Sequence, residues 1–89
     1  ALRTAKSYLN TMSFSRSCLI EQLEYEQYSS EAAVWAVDHV EADWNEQAAK
    51  KAKEYLDMMA FSRRGLIDQL KFEGFTEEEA EYGATSVGY

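Results

Sequence analysis

The side chains in this sequence that could act on another molecule are carboxylates and aromatic rings. Glu31, Asp38 and Glu41 fall in one stretch and Glu77, Glu78, Glu79 and Glu81 in a second, with no Lys or Arg from Ser29 to Ala42 or from Thr76 to Tyr89. Trp35 and Tyr82 stand in the same two stretches. Paired carboxylates do general acid–base work when an apolar pocket raises the pKa of one of them. These acids sit in no such apolar surroundings, so the chain reads as a non-enzyme. One histidine, His39, and one cysteine, Cys18, do not make a ligand set, and no Asp-x-Asp-x-Asp-Gly calcium loop occurs, so neither metal nor cofactor is expected. Cys18 cannot form an internal disulfide and leaves the redox compartment open. What clustered acids can do is steer a cationic partner, and what an exposed aromatic can do is anchor it.

Composition agrees. The 89 residues carry 9 basic and 16 acidic side chains, a net charge of −7, so a phosphate backbone or an anionic lipid surface is repelled on average. With 46% hydrophobic residues and no proline, the chain is a folded unit and not a disordered tail. A chain this short buries only about 60–65% of its unfolded surface, so its core is small and contiguous or split between two half-size units. No apolar run approaches the roughly 20 residues that span a bilayer. The first residues, Ala1 to Lys6, follow a helical pattern without a capping residue and do not resemble a signal peptide, which points to an excised or processed fragment.

The elements that position these residues come from an internal duplication. Residues 1–42 laid on residues 48–89, at an offset of 47, match without a gap at 17 of 42 positions, among them Tyr8/Tyr55, Leu9/Leu56, Phe14/Phe61, Arg16/Arg63, Leu19/Leu66, Leu23/Leu70 and Ala33/Ala80. The five-residue joint 43–47, Asp-Trp-Asn-Glu-Gln, reads as the linker between two repeats, with Asn45 at the capping position of the second repeat's first helix. Each repeat carries three helical patterns. Ser15 and Ser62 are hydroxyl N-caps of the second helix, each with a hydrophobic staple, Phe14 to Leu19 and Phe61 to Leu66. Ser29 and Thr76 begin the third helix, and Thr76 with Glu79 makes a capping box. Short turns at Gln27-Tyr28 and Gly74-Phe75 join the second and third helices like a helix-turn-helix. Gly74 suits positive φ at the helix end, whereas Gln27 in the same place costs about 1 kcal/mol, so repeat one is the less stable copy. Leu19, Leu23, Ala33, Ala36, Val37 and Val40 are expected to face Tyr8, Leu9 and Met12 in a small core. The expected fold is all-α, a tandem of two three-helix units.

The repeated pattern Ala-x3-Ala-x2-Tyr-Leu, then Phe-Ser-Arg-x2-Leu-Ile-x-Gln-Leu, then Glu-Gly-Phe-Thr with Ala80 and Tyr82, joined by Asp43-Trp44-Asn45, resembles the Ltp family of host-cell-surface-exposed lipoproteins over the whole chain. In that family a lipidated cysteine and a polar spacer precede the repeats; Cys18 lies inside the second helix, so a membrane anchor is implied by the resemblance alone. The resemblance implies superinfection exclusion: display outside the host membrane and a block of DNA injection through contact with the tape measure protein of an incoming phage.

Both lines meet at an acidic surface that takes a basic segment, with Glu31, Trp35, Asp38, Glu41, Glu77, Glu78, Glu81 and Tyr82 as its contacts. Other uses stay open for some of them. Glu77 to Glu79 also suit a helix dipole, and Trp35 and Tyr82 could instead pack against the neighbouring repeat. Trp44 reads as a structural wedge, His39 as a surface histidine and Cys18 as inert. A third helix with seven acids and no base over the two copies cannot grip phosphates, so no nucleic acid partner is expected. An acidic mimic of DNA, or a general protein-interaction module for a basic partner, is the alternative.

Overall fold

Six helices and no strand make up the computed structural model, which describes all residues 1–89. They are α1 (Leu2–Thr11), α2 (Arg16–Tyr25), α3 (Ser30–His39), α4 (Trp44–Met58), α5 (Arg63–Phe72) and α6 (Glu77–Ser86). Side-chain caps set the starts of five of them, four by a hydroxyl. Ser15, Ser29 and Ser62 each accept a hydrogen bond from the backbone three residues on, and Thr76 and Glu79 complete a reciprocal capping box.

The ends of α2 and α5 are Schellman motifs. Tyr28 N–H reaches Leu23 O and Gln27 N–H reaches Glu24 O, as Phe75 reaches Leu70 and Gly74 reaches Lys71. Both motifs require a left-handed residue, and φ is +75° at Gln27 and +105° at Gly74. Glycine adopts that conformation freely; glutamine does so at a cost, so α2 ends less favourably than α5.

Each repeat has its own apolar core. Ala5, Phe14, Leu19, Leu23, Ala33, Ala36 and Val37 form one, and Ala48, Ala52, Leu66, Ile67, Leu70, Phe75, Ala80 and Ala84 the other. The identical residues build identical details. Tyr8 meets Phe14 edge to face at 5.6 Å and Tyr55 meets Phe61 at 5.9 Å, while Gln22 and Gln69 each donate to the tyrosine hydroxyl at 3.3 Å. Met12 departs from the expected core: it and its counterpart Met59 are exposed, because each caps the end of the first helix with extended backbone that turns the chain away.

The expected five-residue linker is mostly helix. Asp43, not Asn45, caps α4, its carboxylate accepting from Asn45 and Glu46 N–H, and Trp44 to Gln47 form the first turn. Aspartate at 43 gains from the helix dipole as well as the hydrogen bonds, which moves the start forward. That added turn carries Trp44 onto the core of repeat one and brings Gln47 Oε1 to Phe14 N–H at 3.0 Å. Three further bonds cross between the repeats: Ser13 Oγ to Glu54 Oε2 at 2.6 Å, Ser15 Oγ to the Glu73 carbonyl at 2.7 Å and Ser17 Oγ to the Gly74 carbonyl at 3.2 Å. The body measures 38 × 20 × 20 Å, two units end to end joined by a polar clamp.

Candidate functional site

The third helix of each repeat buries its small residues and presents the rest. In α3, Ala33, Ala36 and Val37 face inward, as Ala80, Gly83 and Ala84 do in α6. At 100° per residue this turns Trp35 and Tyr82 outward, and they are 53% and 47% exposed, so neither is packed between the repeats. Trp35 stacks on His39 one turn later, centroids 4.1 Å apart and planes 20° from parallel, while His39 Nδ1 lies 2.7 Å from the Trp35 carbonyl. The imidazole thus covers one face of the indole. Ser30, Glu31, Val34, Trp35, Asp38 and His39 line a shallow open depression along this helix, too open to enclose a small molecule.

The acids divide into two groups. Asp38 Oδ1 accepts from Arg16 Nη2 at 2.7 Å and Nε at 3.2 Å. Glu77 receives Lys71 Nζ at 2.6 Å, and this hydrogen bond holds its carboxyl below the ordinary range. Glu81 shares a hollow with Arg63 and Arg64. Glu31, Glu41 and Glu78 are exposed, and no cation of the chain lies within ion-pair distance of them. The absence of Lys and Arg from the third helices therefore overstated their free charge, because α2 and α5 supply cations from across the turn. The signal was present in the duplication: Arg16 and Arg63 are identical, and they reach the equivalent positions Asp38 and Thr85.

Sequence reasoning also missed a pair of rings. Tyr25 and Phe72, at equivalent positions 47 residues apart, end α2 and α5 and are 83% and 85% exposed. Cys18 is half-buried, and burial, aided by the Glu73 carboxylate, pushes its thiol above the ordinary value, which keeps it protonated and unreactive. No group of His, Cys, Asp or Glu is arranged to hold a metal ion, and no helix is long and apolar enough to cross a membrane. The arrangement suits association: open helix faces, each carrying an exposed aromatic ring and an unpaired carboxylate, Glu31 with Trp35 on α3 and Glu78 with Tyr82 on α6.

Comparison with known proteins gives the same pattern an ancestry. The model of a family described as host cell surface-exposed lipoprotein matches residues 1–40 and again 43–87, one match per repeat. Among solved structures, the chain is similar to Ltp, a superinfection exclusion protein from the Streptococcus thermophilus temperate phage TP-J34, at 38% identity and a TM-score of 0.88, covering 94% of this chain and 88% of that one. No curated protein matches the sequence.

Proposed function

The chain belongs to the Ltp family of host cell surface-exposed lipoproteins, and from that membership we propose that it acts in superinfection exclusion, displayed on the outside of the host cell as a non-enzymatic blocker. The observation that carries this reading is the 38% identity, over nearly the whole chain, to a superinfection exclusion protein of a temperate phage. The partner we assign is a basic segment of the tape measure protein of an incoming phage, whose capture stops DNA injection. Three features support it. The net charge of −7 favours a cation, the third helices offer Glu31 and Glu78, and the turn past the end of α3 offers Glu41 with φ at +58°, all three free of internal ion pairs, and Trp35 and Tyr82 stand half-exposed on α3 and α6 as anchors. A lipid anchor is the only membrane attachment this reading needs.

Pulldown of purified tail proteins and, separately, of DNA on the immobilised chain tests the assignment. The tape measure protein is expected to be retained and DNA to pass through. Retention is expected to weaken between low salt and about 0.5 M, where the Debye length falls to roughly 4 Å. Reversing Glu31, Glu41 and Glu78 to Lys is expected to abolish retention while each change leaves stability within about 0.5 kcal/mol. Retention unaffected by salt and by these substitutions would reject the acidic contact.

A further inference from the structure

The depression along α3 has no counterpart in the second repeat. Glu31, Val34, Trp35, Asp38 and His39 line it together, and the positions 47 residues on are Glu78, Glu81, Tyr82, Thr85 and Ser86. Where Val34 gives the first repeat an apolar wall, Glu81 stands in the second, in a hollow lined by the chain's own Arg63 and Arg64. The duplication also shows what these helices take. Arg16 Nε and Nη2 both reach Asp38 Oδ1 on α3, and Arg63 Nη1 reaches Thr85 Oγ1 at the equivalent position of α6. Each third helix therefore already receives a guanidinium from within its own repeat. In the first repeat an exposed indole, Val34 and the unpaired Glu31 remain beside the occupied acid.

We infer, resting on the reading above that the partner is basic, that this depression receives an arginine side chain of the partner and that repeat one alone does so. His39 covers one face of the Trp35 indole, so the opposite face is the one a partner meets. A guanidinium stacks on such a face through its own plane, which an ammonium cannot do. Val34 flanks the ring for the aliphatic stem of the incoming side chain, and Glu31, with no cation of the chain within ion-pair distance, meets its charge. Asp38 adds little free charge, because Arg16 holds it. An acidic side chain would be repelled by Glu31, and a purely apolar one would leave that carboxylate without a partner. The shape agrees with the occupant: a depression too open to enclose a free small molecule suits a side chain carried by a longer segment. Repeat two lacks the site because Glu81, in the place of Val34, already lies among the chain's own arginines.

The test uses the full chain and, as probes, short capped peptides of Gly and Ser with a single central Arg, Lys, norleucine or Glu. In a titration followed by chemical shifts, the Arg peptide is expected to move the Trp35 indole N–H and the amides of α3, and to leave the Trp44 indole and the amides of α6 in place. The Lys peptide is expected to bind more weakly, and the norleucine and Glu peptides to move neither. Trp35→Ala is expected to weaken the Arg peptide about tenfold and Glu31→Gln about threefold, with the helical signal unchanged in both. No response to the Arg peptide, an equal response to norleucine, equal shifts in α6, or shifts unaffected by both substitutions would overturn the inference. The same variants separate it from the proposed function. If the tape measure protein is not retained while the Arg peptide still moves α3, the proposed function falls and the arginine site stands. If wild type and both variants retain the tape measure protein equally, the proposed function stands and the arginine site falls.

Discussion

Tyr8 and Tyr55 are the same residue in the same place, held by the same glutamine, yet only Tyr55 gains a second partner. Its hydroxyl donates to the Glu73 carboxylate, and burial first, then that bond, pushes its pKa up to about 12 from an ordinary 10. The folded chain therefore keeps the phenol proton to higher pH than the unfolded chain does. The stability from this group is intact below about pH 10 and is lost as pH rises from about 10 to 12. Denaturant titrations across that window are expected to show stability falling, and Tyr55→Phe is expected to remove that share of the fall; an identical decline in the variant would mean that Tyr55 is not its source. Single residues were also where the sequence was least legible. Trp35 and Tyr82 were readable as outward from helical phase, but the neutralising of Asp38 by Arg16 and of Glu77 by Lys71 joins residues on different helices, and no periodicity reports that.

Helices were legible where their ends carry local chemistry. Ser15, Ser29, Ser62 and Thr76 stand at the caps where hydroxyls are wanted. The joint misled because Asp43 and Asn45 are both good caps, and Asp43 takes the role, its carboxylate accepting from Asn45 and Glu46 N–H while the added turn carries Trp44 onto the first core. Gly74 has two duties of which the sequence showed one. Its φ of +105° was expected from its place after α5. Its second duty is clearance, since a Cβ there would lie 2.6 Å from Ser15 Oγ and closer still to Ser17 Oγ, the hydroxyls that clamp the repeats. Gly74→Ala is thus expected to cost about 2–3 kcal/mol, from the left-handed backbone and the disturbed hydrogen bonds together. Gln27→Gly, at the equivalent turn, is expected to gain up to about 1 kcal/mol. Chemical denaturation of both variants checks the pair, and effects of equal size and opposite sign would show that the clamp contributes nothing.

At the scale of the whole molecule the clamp is head-to-tail: the start of α2 in repeat one meets the end of α5 in repeat two. A heterologous contact of this kind could in principle be repeated by a further copy. The free faces do not allow it. Where Ser13, Ser15 and Ser17 present hydroxyls, the second repeat has Ala60, Ser62 and Arg64, and where Gly74 gives clearance the first repeat has Gln27. Some of the differences between the two related halves thus fall where they touch. Sequence alignment of the halves displayed those differences but not their meaning, because a polar contact between residues 57 or 58 apart leaves no pattern along the chain.

Two separate cores joined by polar bonds and one indole make a specific expectation for how the molecule comes apart. Leu23 and Leu70 are fully buried in their own cores, so each change to alanine is expected to cost about 2–5 kcal/mol, felt first in its own repeat. Repeat one carries the strained Gln27 and lacks the capping box of Thr76 and Glu79, so Leu23→Ala is expected to open α1 to α3 more fully than Leu70→Ala opens α4 to α6. Trp44 separates this picture from sequence order. It belongs to α4, which otherwise builds the second core, yet its ring packs on the first. Trp44→Ala is therefore expected to raise amide exchange in α1 to α3 while most of α4, with α5 and α6, stays protected. If exchange rises mainly in the second repeat, Trp44 is no wedge; if either leucine substitution releases both halves together, the clamp couples the two cores into one cooperative unit.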